Sequence, residues 1–305
     1  MQLHFTKMEG CGNDYVYING VTEHVPEVDK PALVRRLSDR HFGIGSDGVI
    51  WINPVKDSTV QTGKDKGAHA DFEMEMWNAD GTRAEMCGNG IRCVAKYVYD
   101  HGMTRDCADP SANDNDHMSH VDIVSAGVVH PIDLYCRGDK AYKARVNMGR
   151  PILNAPDIPV KAGKSPVVSA PFMVDGKEYA LTCVSMGNPH AVLFVDDTSI
   201  LDLPKIGPLF ENNDRFPRRT NTEFVQVLDR SHVRMRVWER GAGETLACGT
   251  GCCATAVACV LNGKTERKIT VDVLGGSLEI EWNEKTDEVF MTGPAKTVFE
   301  GTVEI

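Results

Sequence analysis

One stretch of nineteen residues occurs twice in this chain, and the duplication limits the folds open to it. "FEMEMWNADGTRAEMCGNG" (72–90) and "VRMRVWERGAGETLACGTG" (233–251) align without a gap at an offset of 161. Each copy opens with alternation, Phe72, Met74 and Met76 against Val233, Met235 and Val237, which marks a strand with one buried face. Each strand ends in a tryptophan, Trp77 or Trp238, ten residues before a cysteine, Cys87 or Cys248. Past the cysteine the period changes. Ile91, Val94, Ala95 and Val98 fall at helical spacing with a stop at Gly102, while "GTGCCATAVACVLNG" (249–263) is apolar on all sides and stops at Asn262-Gly263. A chain carrying strand, loop, cysteine and helix twice folds as two similar α/β halves.

The repeat extends upstream at a different offset. "CGNDYVYI" (11–18) matches "MGNPHAVLF" (186–194) at 175, and at that offset Ser46 in "GIGSDGVI" answers to Asn221 in "RRTNTEFV". The change from 175 to 161 calls for 14 extra residues in the first half, assigned to the polar stretch "NPVKDSTVQTGKDKGAHA" (53–70). "NMGRP" (147–151) and "FMTGP" (290–294) correspond near the ends of the halves, which join around 138–150. "MTRDCADPSANDNDHMSH" (103–120) reads as a second polar loop without chemistry of its own.

Composition narrows the function. A chain of 305 residues, 42% of them hydrophobic, fills two ordinary cores. A net charge of −10, with no Lys/Arg cluster interleaved with aromatics, argues against nucleic acid or an anionic membrane surface as partner and favours a small molecule. "MQLHFTKMEG" has no signal-peptide pattern and no run approaches the roughly 18 apolar residues of a membrane span, so a cytoplasmic location is expected. Ten cysteines in a reducing compartment are then free thiols, not staples.

The paired cysteines suggest the chemistry. A helix start offers unpaired amides and the positive end of the macrodipole, which stabilise a thiolate and hold a carboxylate, so a lowered thiol pKa is expected. Glycines at 88, 90, 249 and 251 allow close approach of a ligand to the backbone. One thiolate and one thiol on opposite faces of a carbon remove a proton from one side and return it on the other, and duplicated halves suit that near-mirror task. A different class of reading keeps the same cysteines as a redox pair or as metal ligands, although "CGTGCC" lacks a paired C-x-x-C and a second ligand cluster. Cys93, Cys252, Cys253 and Cys259 lie inside the helices and read as small buried hydrophobes.

Taken in order, "GCGNDY", "FGIGSDG", "NADGTRAEMCGNGIRC", "GNPHAV", "RTNTEF", "WERGAGETLACGTG" and "GPA" resemble the signatures of the diaminopimelate epimerases over nearly the whole chain. The resemblance implies an α/β (α+β type) fold of two pseudo-symmetric domains, each a mostly antiparallel sheet wrapped around a central apolar helix, with the active site in the interdomain cleft. The expected domains are 1–142, completed by a returning C-terminal strand near 295–305, and 143–305. The implied activity is cofactor-independent interconversion of L,L- and meso-diaminopimelate, a step toward lysine and peptidoglycan, by a protein that is often a homodimer. No pyridoxal phosphate lysine motif and no metal site accompany it. Cys87 resembles the proton donor and Cys248 the acceptor in the L,L direction. Asn13, Ser46, Asn78, Gly88, Asn89, Asn188, Asn221, Glu239, Arg240, Gly249 and Thr250 match substrate-binding positions, and His190 and Glu239 match residues beside the thiols. A proline or hydroxyproline racemase on the same fold is the alternative; the asparagine set and Glu239-Arg240 favour a longer substrate with a second amino-acid head.

Overall fold

The computed structural model describes residues 2–55, 69–84, 86–104 and 116–305; most of the two polar stretches singled out above lies outside these, but 116–120, read as loop, opens a strand, and residues 53–54 close one. The chain divides into two units, Met1–Val146 with Gly293–Ile305, and Asn147–Thr292.

The first unit runs through β1 (Gln2–Gly10), β2 (Asn13–Asn19), α1 (Lys30–Ser38), β3 (Gly48–Pro54), β4 (Phe72–Asn78), α2 (Gly88–Asp100), β5 (Asp116–Ser125), β6 (Val128–Arg137) and β7 (Lys140–Asn147). Neighbours in sequence are neighbours in the sheet. Pairing is antiparallel except at β2/β3 and β4/β5, where α1 and α2 provide the crossovers that parallel strands require.

The second unit contains β8 (Ala170–Val174), β9 (Lys177–Ser185), β10 (Pro189–Phe194), α3 (Leu203–Glu211), β11 (Asn221–Val227), β12 (His232–Glu239), the short β13 (Gly243–Thr245), α4 (Gly249–Leu261), β14 (Lys268–Val273), β15 (Gly276–Trp282) and β16 (Val289–Pro294). From β9 to β16 it follows the same succession, parallel only at β10/β11 and β12/β14. The strand flanking β9 is its predecessor β8, whereas the strand flanking β1 is the chain's last, β17 (Lys296–Glu304).

In each unit the helix that follows the cysteine is enclosed. Every residue of α2 from Gly88 to Tyr99 is buried, and the helix packs on β1, β2, β5 and β6. In α4 the buried run is Gly249 to Cys259, packed on β9, β10, β11, β12, β14 and β15. A helix surrounded by strands has no wet face, so even its polar residues need internal partners. Lys96 finds them at Asp100 Oδ2 (2.6 Å) and the Ala141 carbonyl (2.5 Å).

The opposite faces of the sheets carry a second apolar layer. Leu33, Val34 and Leu37 of α1 cluster with Val16, Ile18, Val49, Trp51 and Trp77. Leu203 and Phe210 of α3 cluster with Phe172, Leu181, Phe216 and Phe224. Strands buried on both faces lose the alternation expected of half-buried ones, as the unbroken burial of Tyr15–Ile18 and Asn221–Val225 shows.

Strand register changes one feature of the repeat. Tyr15 pairs with Gly48, and Gly48 with Asn78, whereas His190 pairs with Asn221. Trp77 lies opposite Val49 and Trp238 opposite Thr222. The third strands therefore correspond at an offset of 173, Gly48 answering to Asn221, and Ser46 belongs to the turn before the strand. A slip of two residues keeps every side chain on its face, so the alternation pattern could not detect it.

Helix α3 reaches its place through Gly207, where a Cβ would lie 2.3 Å from the Trp238 ring. Gly207→Ala is expected to lower the urea midpoint, because overpacking costs of about 1–3 kcal/mol outweigh a helix-propensity gain of about 1 kcal/mol. An unchanged or raised midpoint would refute this account.

Candidate active site

In the first unit the site residues gather around the start of α2. Cys11 (φ 54°) and Gly12 (φ 80°) turn the chain from β1 into β2 and set Asn13 at the strand's start. Cys87 is the N-cap of α2, with extended backbone (φ −132°, ψ 113°). Its sulfur accepts the Gly90 N–H at 3.3 Å and donates to Asn13 Oδ1 at 3.1 Å. Asn13 in turn donates to Asp47 Oδ2 (2.7 Å), and Arg40 bridges Asp47 (2.8 Å) and Asp14 (2.7 Å). The orientation of the Cys87 thiol is thus set by a chain of hydrogen bonds ending in a charged cluster.

Arg92, one turn into α2 and fully buried, stabilises the helix start from within. It donates to the Gly88 carbonyl (3.1 Å), Asn89 Oδ1 (3.0 Å) and the Pro294 carbonyl (3.1 Å). Asn89 Nδ2 then lies 3.4 Å from Asn13 Oδ1. Cys87, Gly88, Asn89 and Asn13 form one cluster. Asn78 ends β4 and donates to Thr82 Oγ1 at 3.1 Å. Ser46 is buried and turned inward, its hydroxyl donating to the Gly48 carbonyl (2.8 Å) and lying 3.2 Å from Ser38 Oγ, so it is committed to the turn.

The second unit repeats the capped helix start with different surroundings. Cys248 is the N-cap of α4 (φ −114°, ψ 109°), and its sulfur accepts the Gly251 N–H at 3.4 Å and lies 3.4 Å from Thr250 Oγ1. Glu239, the last residue of β12, accepts a hydrogen bond from Thr245 Oγ1. Asn221 Oδ1 accepts the Arg240 N–H at 2.8 Å, and the Arg240 side chain, exposed, donates to the Arg218 carbonyl at 3.0 Å. Asn188 Oδ1 lies 2.9 Å from Nε2 of the wholly buried His190, whose Nδ1 is 2.7 Å from Glu223 Oε1.

Electrostatics reverses one expectation. Burial pushes the Cys248 thiol well above its ordinary value, the charges of Glu239 and Glu223 push it further, and hydrogen bonds from Thr250 and the Gly251 amide only partly oppose them. Helix-end stabilisation of about 1–2 kcal/mol is too small to offset removal of a thiolate from water beside two carboxylates. Cys93 and Cys259, inside the helices, are pushed up to about 12 by burial.

Five residues in and around these clusters escape a reading of the sequence: Asp47, Glu75, Arg92, Glu211 and Glu223. Glu211, at the end of α3, accepts the Trp238 indole N–H (2.7 Å) and the Gly241 N–H (2.9 Å), and so anchors the turn after Glu239-Arg240. In the first unit Glu75 accepts the Trp77 indole N–H (2.7 Å) and ion-pairs with Lys30 (2.7 Å) and Arg83 (2.7 Å). Glu75 sits at a charged position of the alternation, where a solvent-facing side chain is the natural reading.

The fold is one that racemases and other isomerases share. The chain is similar to the crystal structure of a hydroxyproline epimerase from Agrobacterium vitis (TM-score 0.65, 14% identity, covering 99% of this chain and 92% of that one). It is equally similar to a methylitaconate-delta-isomerase (TM-score 0.65, 13% identity, 99% and 95%). A family model described as diaminopimelate epimerase matches residues 5–151 and 182–298. Diaminopimelate epimerases of Agathobacter rectalis (50% identical, 99% of this chain and 100% of the relative) and Methanococcus maripaludis (47%, 99% and 100%) align along their length. The chain belongs to the diaminopimelate epimerase family.

The raised Cys248 pKa has a direct readout in the substrate-free protein. Alkylation proceeds through the thiolate, so iodoacetamide labelling of Cys248, resolved by peptide mass spectrometry, is expected to keep rising with pH where an ordinary thiol, with a pKa of about 8.5, has levelled off. A plateau near pH 8.5 would show that burial and the two carboxylates do not control this thiol.

Proposed function

We propose that this chain is an isomerase that interconverts L,L- and meso-2,6-diaminopimelate by moving one α-proton between two cysteine thiols. The observation that carries the reading is the repeated N-cap cysteine. Cys87 and Cys248 each stand at the start of an enclosed helix, on a chain that belongs to the diaminopimelate epimerase family. In the L,L direction Cys248 acts as base and Cys87 as acid, and the reverse reaction exchanges their roles. The first-turn amides at Gly88-Asn89 and Gly249-Thr250 receive the carboxylate of the reacting centre, since a helix start leaves donors without intrahelical partners and favours negative charge.

Because Cys248 is a thiol in the free protein, it becomes a base only by losing its proton; in this scheme Glu239 receives that proton and His190 supports the thiol chemistry. The carbanion left by abstraction takes a proton on its other face from Cys87, whose S–H is oriented by Asn13. Asn78, Asn188, Asn221, Glu239 and Arg240 bind the remaining charged groups of the substrate, Arg240 through the planar fork suited to a carboxylate. Ser46 contributes by shaping the turn into β3. No step calls for pyridoxal phosphate or a metal. We place the reaction in the cytoplasm, in a homodimer; among the described residues no helix is long and apolar enough to cross a membrane.

Proton NMR of the reduced protein with L,L-diaminopimelate in D₂O is the decisive measurement. Loss of the α-proton signal with appearance of the meso isomer, without added cofactor, is the expected result. No exchange from folded, reduced protein would reject this substrate, and proline would be tested next. In the same assay Cys87→Ser and Cys248→Ser should each reduce turnover by at least about 100-fold, since a hydroxyl cannot replace a thiol as acid or base near neutral pH. Near-normal turnover by either variant would rule out the two-thiol scheme.

A further inference from the structure

Glu223 lies inside the second unit and enters none of the steps above. Its carboxyl group on β11 is wholly buried and 2.7 Å from Nδ1 of His190 on β10, itself wholly buried. The ring's Nε2 faces the amide oxygen of Asn188 at 2.9 Å, which requires Nε2 to carry hydrogen. Two acceptors do not face one another at 2.7 Å, so one proton lies between Nδ1 and the carboxyl group. The second carboxyl oxygen, Oε2, is buried with no hydrogen-bond partner among the described residues. A Cβ placed on Gly251 would stand 2.8 Å from Glu223 Oε1. The carboxyl group therefore lies directly behind the turn whose Gly251 amide binds the Cys248 sulfur.

The first unit shows the same position without a charge. Since Gly48 answers to Asn221 by strand register, Ile50 answers to Glu223, and Tyr15 to His190. A Cβ on Gly90 would lie 2.8 Å from Ile50 Cδ1, the contact that Gly251 would make with Glu223. Ile50 is fully buried and packs this place with a hydrocarbon. The architecture thus accepts an apolar side chain here, and a carboxyl group with an unpartnered oxygen is the costlier choice.

We propose that Glu223 is a positioning residue of the Cys248 cluster: it holds the His190 ring with Nε2–H turned to Asn188, and it sets a carboxylate behind the helix start that bears the thiol. The proposal rests on the epimerase reading in treating Cys248 as a working thiol. Burial raises the pKa of Glu223 and the charge of His190 opposes the rise. The groups facing this thiol and carboxyl group are His190 from β10 and Glu239 from the end of β12, while the Cys183 thiol of β9 lies in the apolar layer on the opposite face. On β14 and β15 the residues turned toward the helix are Ile269, Val271, Leu278 and Ile280, while Lys268 and Asp272 pair with Glu279 and His232.

Two variants test it in the substrate-free protein. Glu223→Gln keeps the shape and a donor for Nδ1 without the charge, and Glu223→Ile supplies the side chain found at this position in the first unit. The shared proton leaves the pair neutral as a whole, but its carboxylate end is the one against the Gly251 turn, so without it the midpoint pH of Cys248 alkylation should fall by about half a unit in both. Ring ¹⁵N shifts of His190 should retain the Nε2–H tautomer in Glu223→Gln and lose it in Glu223→Ile. A Cys248 profile superimposable on wild type in Glu223→Gln overturns the proposal, as does a His190 ring unchanged by Glu223→Ile. If Glu223→Ile does not fold, the Glu223→Gln profile decides alone. Neither readout uses turnover, so a protein that failed to epimerise diaminopimelate would still answer the question.

Discussion

A helix start buried inside a sheet must find partners for amides that the helix itself leaves unpaired, and in both units a cysteine sulfur supplies one. That requirement orders much of the molecule. The sheet encloses the helix, the enclosed helix presents its N-terminal turn at one end, and the residue capping that turn is held against backbone amides. Glycine at the third position after each cysteine, Gly90 and Gly251, lets the strand behind come within 3 Å of where a side chain would begin. The chemistry and the packing share the same few atoms.

The two units use one frame and furnish it differently. Around Cys87 are amides and an ion-pair cluster, with Asn13 receiving the thiol proton's hydrogen bond and Arg92 fixing the turn from below. Around Cys248 are carboxyl groups, and burial with Glu239 and Glu223 keeps the thiol protonated. Similar backbone geometry therefore holds two thiols in unlike electrostatic settings, as the proposed scheme of one acid and one base calls for. The differences lie on β2, β3 and their counterparts, Tyr15 against His190 and Ile50 against Glu223, one residue position at a time.

Much of this was legible in the chain because its signals are local. Alternation followed by helical spacing marks the strand and helix of each repeat, and ten residues from Trp77 to Cys87 and from Trp238 to Cys248 locate the thiols. What escaped depends on pairing. Similarity matches Ser46 to Asn221, yet strand pairing puts Gly48 in that place, and a shift of two leaves the pattern of faces intact. Glu75, Glu211 and Glu223 look like surface charges in a linear reading; each is inside because a helix or a neighbouring strand covers the face it lies on. Arg92 is similar, a charged residue on a helix with no exposed side.

By itself the sequence determined the duplication, the strand and the helix of each repeat and the identity of the two cysteines, since these follow from periodicity and from residue type within a short window. Tertiary structure alone decided the register of β3, the inward turn of Ser46, the partners of the buried glutamates and the sign of the Cys248 pKa shift. Desolvation and Coulomb interaction depend on which side chains meet after folding, and residues 190, 223, 239 and 248 meet around one helix start only when four elements have been placed.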